Sequence, residues 1–216
     1  MIGRSPMLAL SGAAMVAALC AALGVSGSHA DMIDTSGMQP WEVCGLCHGL
    51  DGISAVAKFP KLAGQRAAYI AKQFRDFHDG RRGNDGGQME AITTEIDPAL
   101  LPEVAAYFAA LPAPPPVADK GPGYDLGKAL FGEGRDGVRA CSDCHDPGVD
   151  SPGFLAPWLE AQHRNYLVKQ LADFASGARD NDPDGSMRTI AAALQPAERE
   201  ALADFLAATA RPQREP

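Results

Sequence analysis

Aromatic residues make up only 6% of this 216-residue chain, and cysteine is scarcer still, with five. A run of about 18 to 20 uninterrupted apolar residues is absent, so no strong membrane span is present. Cations are in deficit, 19 Lys and Arg against 27 Asp and Glu for a net charge of −8. That balance argues against nucleic acid or anionic lipid as a partner and favours one with a basic docking patch. Nothing reads as a series of alternating strands. What remains, 46% hydrophobic and 21% charged, is an ordinary soluble composition that allows one domain or two.

The first thirty residues carry one formal charge, Arg4, ahead of an apolar run from Ala13 to Leu23. Small and polar residues follow, ending in Ser28-His29-Ala30. This is the layout of a secretory signal at residues 1–30, cut after Ala30, and it implies export. An uncleaved anchor is the alternative, but the run is short for a span. Cys20 would suit lipoprotein processing, were Leu19 before it not bulkier than that chemistry prefers. Removal of the segment takes one basic residue and no acidic one, so the net charge becomes −9.

The other four cysteines all lie in two pentapeptides, Cys44-Gly45-Leu46-Cys47-His48 and Cys141-Ser142-Asp143-Cys144-His145, and none is left for a disulfide framework. Cys-x-x-Cys-His is the attachment signature of a c-type haem: two thiols bond the porphyrin edge and the adjacent His ligates the iron. The surrounding sequence repeats with it. At an offset of 97, Pro60 and Gln65 recur as Pro157 and Gln162. Tyr69, Lys72, Gln73, Asp76, Phe77, Gly80, Arg82 and Asn84 recur as Tyr166, Lys169, Gln170, Asp173, Phe174, Gly177, Arg179 and Asn181. After one inserted residue Met89 matches Met187, and Pro98 matches Pro196. Such dense identity indicates a duplicated domain. The Pro/Gly-rich stretch 114–123 reads as an extended linker, with domains over residues 31–113 and 124–216.

Each unit is patterned as a small all-α domain. Ile70, Phe74 and Phe77 fall on one helical face, matched by Leu167, Leu171 and Phe174, with Gly80 and Gly177 as stops. Val104, Tyr107, Phe108 and Leu111 form a second stripe, and Leu202, Phe205 and Leu206 another after Pro196. Units of this size with few aromatics bury little core, and a covalently held, largely apolar porphyrin would fill the centre. An electron carrier wants two strong axial ligands. His48 and His145 supply one side, and Met89 and Met187, 41 and 42 residues further on, are the matched thioethers for the other. Both methionines fall in Asp/Gly-rich loops. Met32 and Met38 have no counterparts and are expected to be unligated. His78 and His163 are unpaired across the repeat, which suits a solvent-facing or propionate-side role. Pro60 and Pro157, each 12 residues after its histidine, are candidates to offer the carbonyl that fixes the ligating ring, a simple turn being the alternative.

On the two pentapeptides, Phe59-Pro60-Lys61-Leu62-Ala63-Gly64-Gln65, Tyr69 to Arg82 and Met89 with their second copies, the chain resembles the dihaem cytochrome c4 family, two class I cytochrome c domains in tandem. The resemblance implies a periplasmic carrier of single electrons with haems attached at Cys44, Cys47, Cys141 and Cys144. It implies irons ligated by His48 with Met89 and by His145 with Met187. It also implies domains packed face to face with propionates near the interface, a membrane respiratory donor and a haem-copper terminal oxidase as acceptor. Loose membrane association is left open. The first unit has little sequence ahead of Cys44, which puts its leading helix in question, and Ala161 in place of Gly64 puts the turn there in question.

The main competitor keeps both haems but makes the chain a subunit of a flavoprotein or quinoprotein dehydrogenase complex, for example in sulfide or alcohol oxidation. A zinc site is disfavoured by the 93 residues between Cys47 and Cys141, a thiol–disulfide enzyme by the lack of a βαβ context, and a dihaem peroxidase by two matched methionines.

Overall fold

The computed structural model describes residues 35–145 and 155–211. The expected signal segment, with Cys20, and Met32 lie outside the described residues. Among the described residues the chain is helical, with one isolated bridge, Arg135 to Val138, and no strand.

The first half contains α1 (Pro40–His48), α2 (Ala67–His78), α3 (Gln88–Thr94) and α4 (Leu101–Ala110). Pro40 opens α1 at a position where a missing N–H costs nothing, and Gln39 N–H donates to Glu42 Oε2 at 2.7 Å to cap it. The second half contains α5 (Tyr124–Glu133), α6 (Ser142–His145), α7 (Arg164–Ser176), α8 (Ser186–Ala193) and α9 (Pro196–Ala207). Pro196 opens α9, where Gln195 N–H donates to Glu198 Oε2 at 2.7 Å.

The expected apolar stripes are the core. Ile70 packs with Val104, Ala105 and Phe108, and Leu167 with Ala203, Phe205 and Leu206. Gly177 closes α7 in the left-handed region, at φ 78°. The questioned leading helix of the first half is present as α1, which runs without a break into His48. The second half splits the same task between α5 and α6. Helix α5 comes so near α9 that a Cβ on Gly127 would lie 2.0 Å from the Ala201 carbonyl oxygen. Residues 111–121 carry no helix; Leu111 and Ala113 lie against the turn at Gly64, and further on Val117 N–H donates to the Ala207 carbonyl of α9 at 2.9 Å.

The questioned turn survives its alanine. Gly64 sits at φ 65° with its N–H donating to the Phe108 carbonyl at 2.9 Å. Ala161 sits at φ 55° with its N–H donating to the Leu206 carbonyl at 2.8 Å. Each turn is thereby tied to the last helix of its half. Among the described residues no helix is long and apolar enough to cross a membrane.

Candidate functional site

Helix geometry sets out the first pentapeptide. Cys44, Cys47 and His48 occupy positions i, i+3 and i+4 near the end of α1, and so share one face. In the second copy α6 carries Cys144 and His145, with Cys141 just ahead of it. All four thiols are half-buried and unpaired. Burial pushes the Cys44 and Cys141 thiols up to about 11. Such thiols lack the lowered pKa of a redox nucleophile and suit a sulfur that ends as an uncharged thioether. Among the described residues no three His, Cys, Asp or Glu side chains gather into a metal-ion site.

The two histidines are held alike. His48 and His145 are buried, and their Nδ1–H groups donate to the Pro60 and Pro157 carbonyls at 2.8 and 2.9 Å. The prolines anticipated from spacing are therefore the ring anchors. Burial makes both imidazoles harder to protonate than usual. With Nδ1 committed to a carbonyl, Nε2 is the lone-pair nitrogen, the form that ligates iron. Two half-buried thiols beside a neutral, oriented imidazole fit a covalently attached haem in each half.

Met89 and Met187 differ from expectation in local structure. Neither lies in a loop: each is the second residue of a short helix, α3 or α8, entered through a left-handed glycine, Gly87 or Gly185. Asp85 caps α3 by accepting Met89 N–H at 2.6 Å. Both methionines are half-buried. Met89 shares a helix face with Ile92, three residues on, which packs in the cluster that holds Cys44. Met187 shares a face with Ile190, which packs with Cys141. Met38 packs against the first cluster as core filler.

The two unmatched histidines are not solvent-facing. His78 is half-buried, stacks on Phe74 and donates from Nδ1 to the Thr93 carbonyl at 3.1 Å. His163 reaches into the first half, where Nε2–H donates to the Ser54 carbonyl at 3.0 Å. Both rings are satisfied by backbone.

The residues that made the repeat recognisable form a reciprocal interface between the halves. The Gln65 side chain bonds both backbone groups of Trp158, donating to its carbonyl at 3.0 Å and accepting its N–H at 2.9 Å. The Gln162 side chain does the same to Lys61, at 3.0 and 2.9 Å. Further along, Arg82 donates to Tyr166 Oη at 3.2 Å and to Gln170 Oε1 at 2.9 Å, while Arg179 donates to Tyr69 Oη at 3.2 Å and to Gln73 Oε1 at 3.1 Å. Asn84 Nδ2 reaches Asp173 at 2.5 Å, and Asn181 Nδ2 reaches Asp76 at 2.6 Å. Lys72 Nζ donates to the Asn181 carbonyl and Lys169 Nζ to the Asn84 carbonyl, each at 2.6 Å. Exchange of the halves maps each of these contacts onto its partner. The guanidinium carbons of Arg82 and Arg179 also lie 4.5 and 4.4 Å from the Phe77 and Phe174 ring centroids. Sequence reasoning used these polar identities only to detect duplication. Their role was recoverable from the fact that buried-helix polar residues have no reason to match unless they face the same task.

No family model matches the chain. Over 199 residues it is 38% identical to cytochrome c4 of Pseudomonas aeruginosa, covering 89% of this chain and 96% of that relative. A protein of Stutzerimonas stutzeri named thiosulfate dehydrogenase electron acceptor is 34% identical, over 89% and 91% of the two chains. The crystal structure of reduced recombinant cytochrome c4 from Pseudomonas stutzeri superposes with a TM-score of 0.68 at 36% identity, covering 77% of this chain and 93% of that one. The matched haem-attachment halves and this likeness over nearly the whole length identify an electron carrier with two haems of c type, and the chain belongs to the cytochrome c4 family.

Proposed function

We propose that the chain is a periplasmic carrier, exported by residues 1–30, that takes single electrons from a membrane respiratory donor and passes them to a haem-copper terminal oxidase. It does so as two cytochrome c domains, residues 31–113 and 124–216, joined by the linker 114–123. Cys44 with Cys47 and Cys141 with Cys144 hold the porphyrins. His48 with Met89 and His145 with Met187 hold the irons. The observation that carries the ligand assignment is the paired Nδ1–H···O=C bond at Pro60 and Pro157, which orients a neutral imidazole in each half. A bound haem supplies a one-electron ferric–ferrous couple, whose potential a thioether ligand raises. The protein's part is to fix each ring, shield it from water with the apolar clusters around Cys44 and Cys141, and hold the halves in register through the reciprocal interface.

A second reading has one specific support, the 34% identical relative named as the electron acceptor of thiosulfate dehydrogenase. Here the chain is the electron-transfer partner or subunit of an oxidising enzyme. The two readings separate in a kinetic assay of the matured, reduced protein. Rapid, cyanide-sensitive reoxidation by respiratory membranes is the outcome for the oxidase route. Reduction by a thiosulfate dehydrogenase with no turnover on those membranes would replace it with the second reading.

A further inference from the structure

Arg211 is the largest wholly buried side chain among the described residues. It lies just beyond the end of α9, and all three of its guanidinium nitrogens are bonded to backbone. Nη1 donates to the Ala63 carbonyl at 2.5 Å, and Nε and Nη2 donate to the Glu160 carbonyl at 3.2 and 3.1 Å. Ala63 and Glu160 are matched positions of the repeat, at its offset of 97. Each directly precedes the left-handed residue, Gly64 or Ala161, whose N–H is held by the last helix of its own half. One side chain therefore ties the two turns to each other.

This contact is single, and the repeat explains why. At the offset that relates Met89 to Met187, the position matching Arg211 is Ala113, which lies against the Gly64 turn. An arginine there would seek the same two carbonyls, since exchange of the halves only swaps them, and would set another cation beside the first. One neighbouring cation is already present: Lys61 Nζ donates to the Ala161 carbonyl at 2.8 Å, and burial with Arg211 nearby pushes Lys61 below the usual lysine range. The Glu160 carboxylate is the nearby charge that favours the guanidinium. A buried charge persists only where hydrogen bonds and a counter-charge offset its lost hydration, and both are present here. The planar fork of arginine, with donors on two edges, lets one cation serve two carbonyls.

We propose that Arg211 is a clasp: supplied by the tail of the second half, it closes the two halves onto each other and so positions their haems for exchange of an electron. Without it the Ala63 and Glu160 carbonyls, one on each side, are stranded in a buried place, and the Glu160 carboxylate loses a neighbouring cation. Unmade bonds of this kind are costly. The cost falls only on the closed arrangement, because water reaches these groups when the halves part. Arg211 therefore sets the balance between closed and parted halves while the fold of each half stays as it is. The inference rests on the presence of a haem in each half and on no assignment of the iron ligands.

The test is amide hydrogen exchange, followed by NMR on the reduced, matured protein. The Lys61 and Trp158 N–H groups donate across the boundary, to Gln162 Oε1 and Gln65 Oε1, each at 2.9 Å. The Ile70 and Leu167 N–H groups donate within a half, at the starts of α2 and α7, each at 3.0 Å. In Arg211→Met the first pair exchanges faster by about tenfold or more, the effect of losing a hydrogen bond to a charged group, and the second pair keeps its rate. Arg211→Lys, which keeps the charge but not the fork, falls between the two. Urea below the unfolding transition widens the parted fraction, and there electron exchange between the haems of half-reduced protein is slower in Arg211→Met than in the wild type. The proposal is overturned if Lys61 and Trp158 stay as protected as in the wild type, or if Ile70 and Leu167 lose protection equally, which would mark a general loss of stability. An unchanged rate of electron exchange with the boundary opened would overturn the part played in positioning the haems. If Arg211→Met does not mature, Arg211→Lys carries the test alone, and wild-type protection of Lys61 and Trp158 in it overturns the clasp.

Discussion

Gly64 and Ala161 occupy the same left-handed turn, and only one of them reaches it without steric cost. At φ 65° the glycine avoids a Cβ that would sit 3.1 Å from the Ala113 Cα. Ala161 carries that strain at φ 55°, held by its N–H bond to Leu206. Gly64→Ala is expected to cost roughly 1–2 kcal/mol, the left-handed penalty plus the contact. Urea titration of the oxidised protein measures it, and an unchanged midpoint would contradict the account. At this scale the sequence was readable where chemistry restricts residue type, as in the two Cys-x-x-Cys-His motifs and the prolines 12 residues beyond them. It was less readable for His78 and His163, because a backbone carbonyl that satisfies a ring has no sequence signature.

Helices α2 and α7 show the same limit one level up. Their apolar faces were legible as stripes at helical spacing, and Ile70, Phe74, Leu167 and Phe174 are indeed buried. Their polar faces were not, since Gln73, Asp76, Gln170 and Asp173 look like solvated positions until the two helices are brought together. Likewise α3 and α8 were expected as loops, because their Asp/Gly-rich approaches conceal a helix start one residue before each methionine. Asp76 tests the interface directly. Burial alone would raise its carboxyl, but bonds from Lys72, Asn181 and Arg81 outweigh that and hold it below the usual range. Its contribution is therefore complete above about pH 4, the ordinary carboxylate value, and is lost as pH falls through the lower folded value. Asp76→Asn is expected to cost about 1–3 kcal/mol at neutral pH and to flatten the acid limb of stability against pH. Thermal unfolding from pH 7 to 3 checks both, and a variant as acid-sensitive as the wild type would refute the assignment.

Across the whole molecule, duplication made the architecture legible: a 97-residue offset fixed two similar helical halves before any helix was located. The relation between the halves was hidden, because an interface built from long-range polar pairs leaves no local pattern. So were its departures from symmetry, since positions that face each other across the repeat differ within the matched segments, as Lys61 and Trp158, Ala63 and Glu160, and Arg66 and His163 do. The account stands on each half holding a six-coordinate iron between a carbonyl-anchored histidine and the methionine at the start of α3 or α8. The methionine–iron charge-transfer band of the oxidised protein measures this most directly. The band is predicted at the intensity of two haems, halved in Met89→Ala and again in Met187→Ala, and absent in the double variant. A band that keeps its full intensity in both single variants would contradict the central claim.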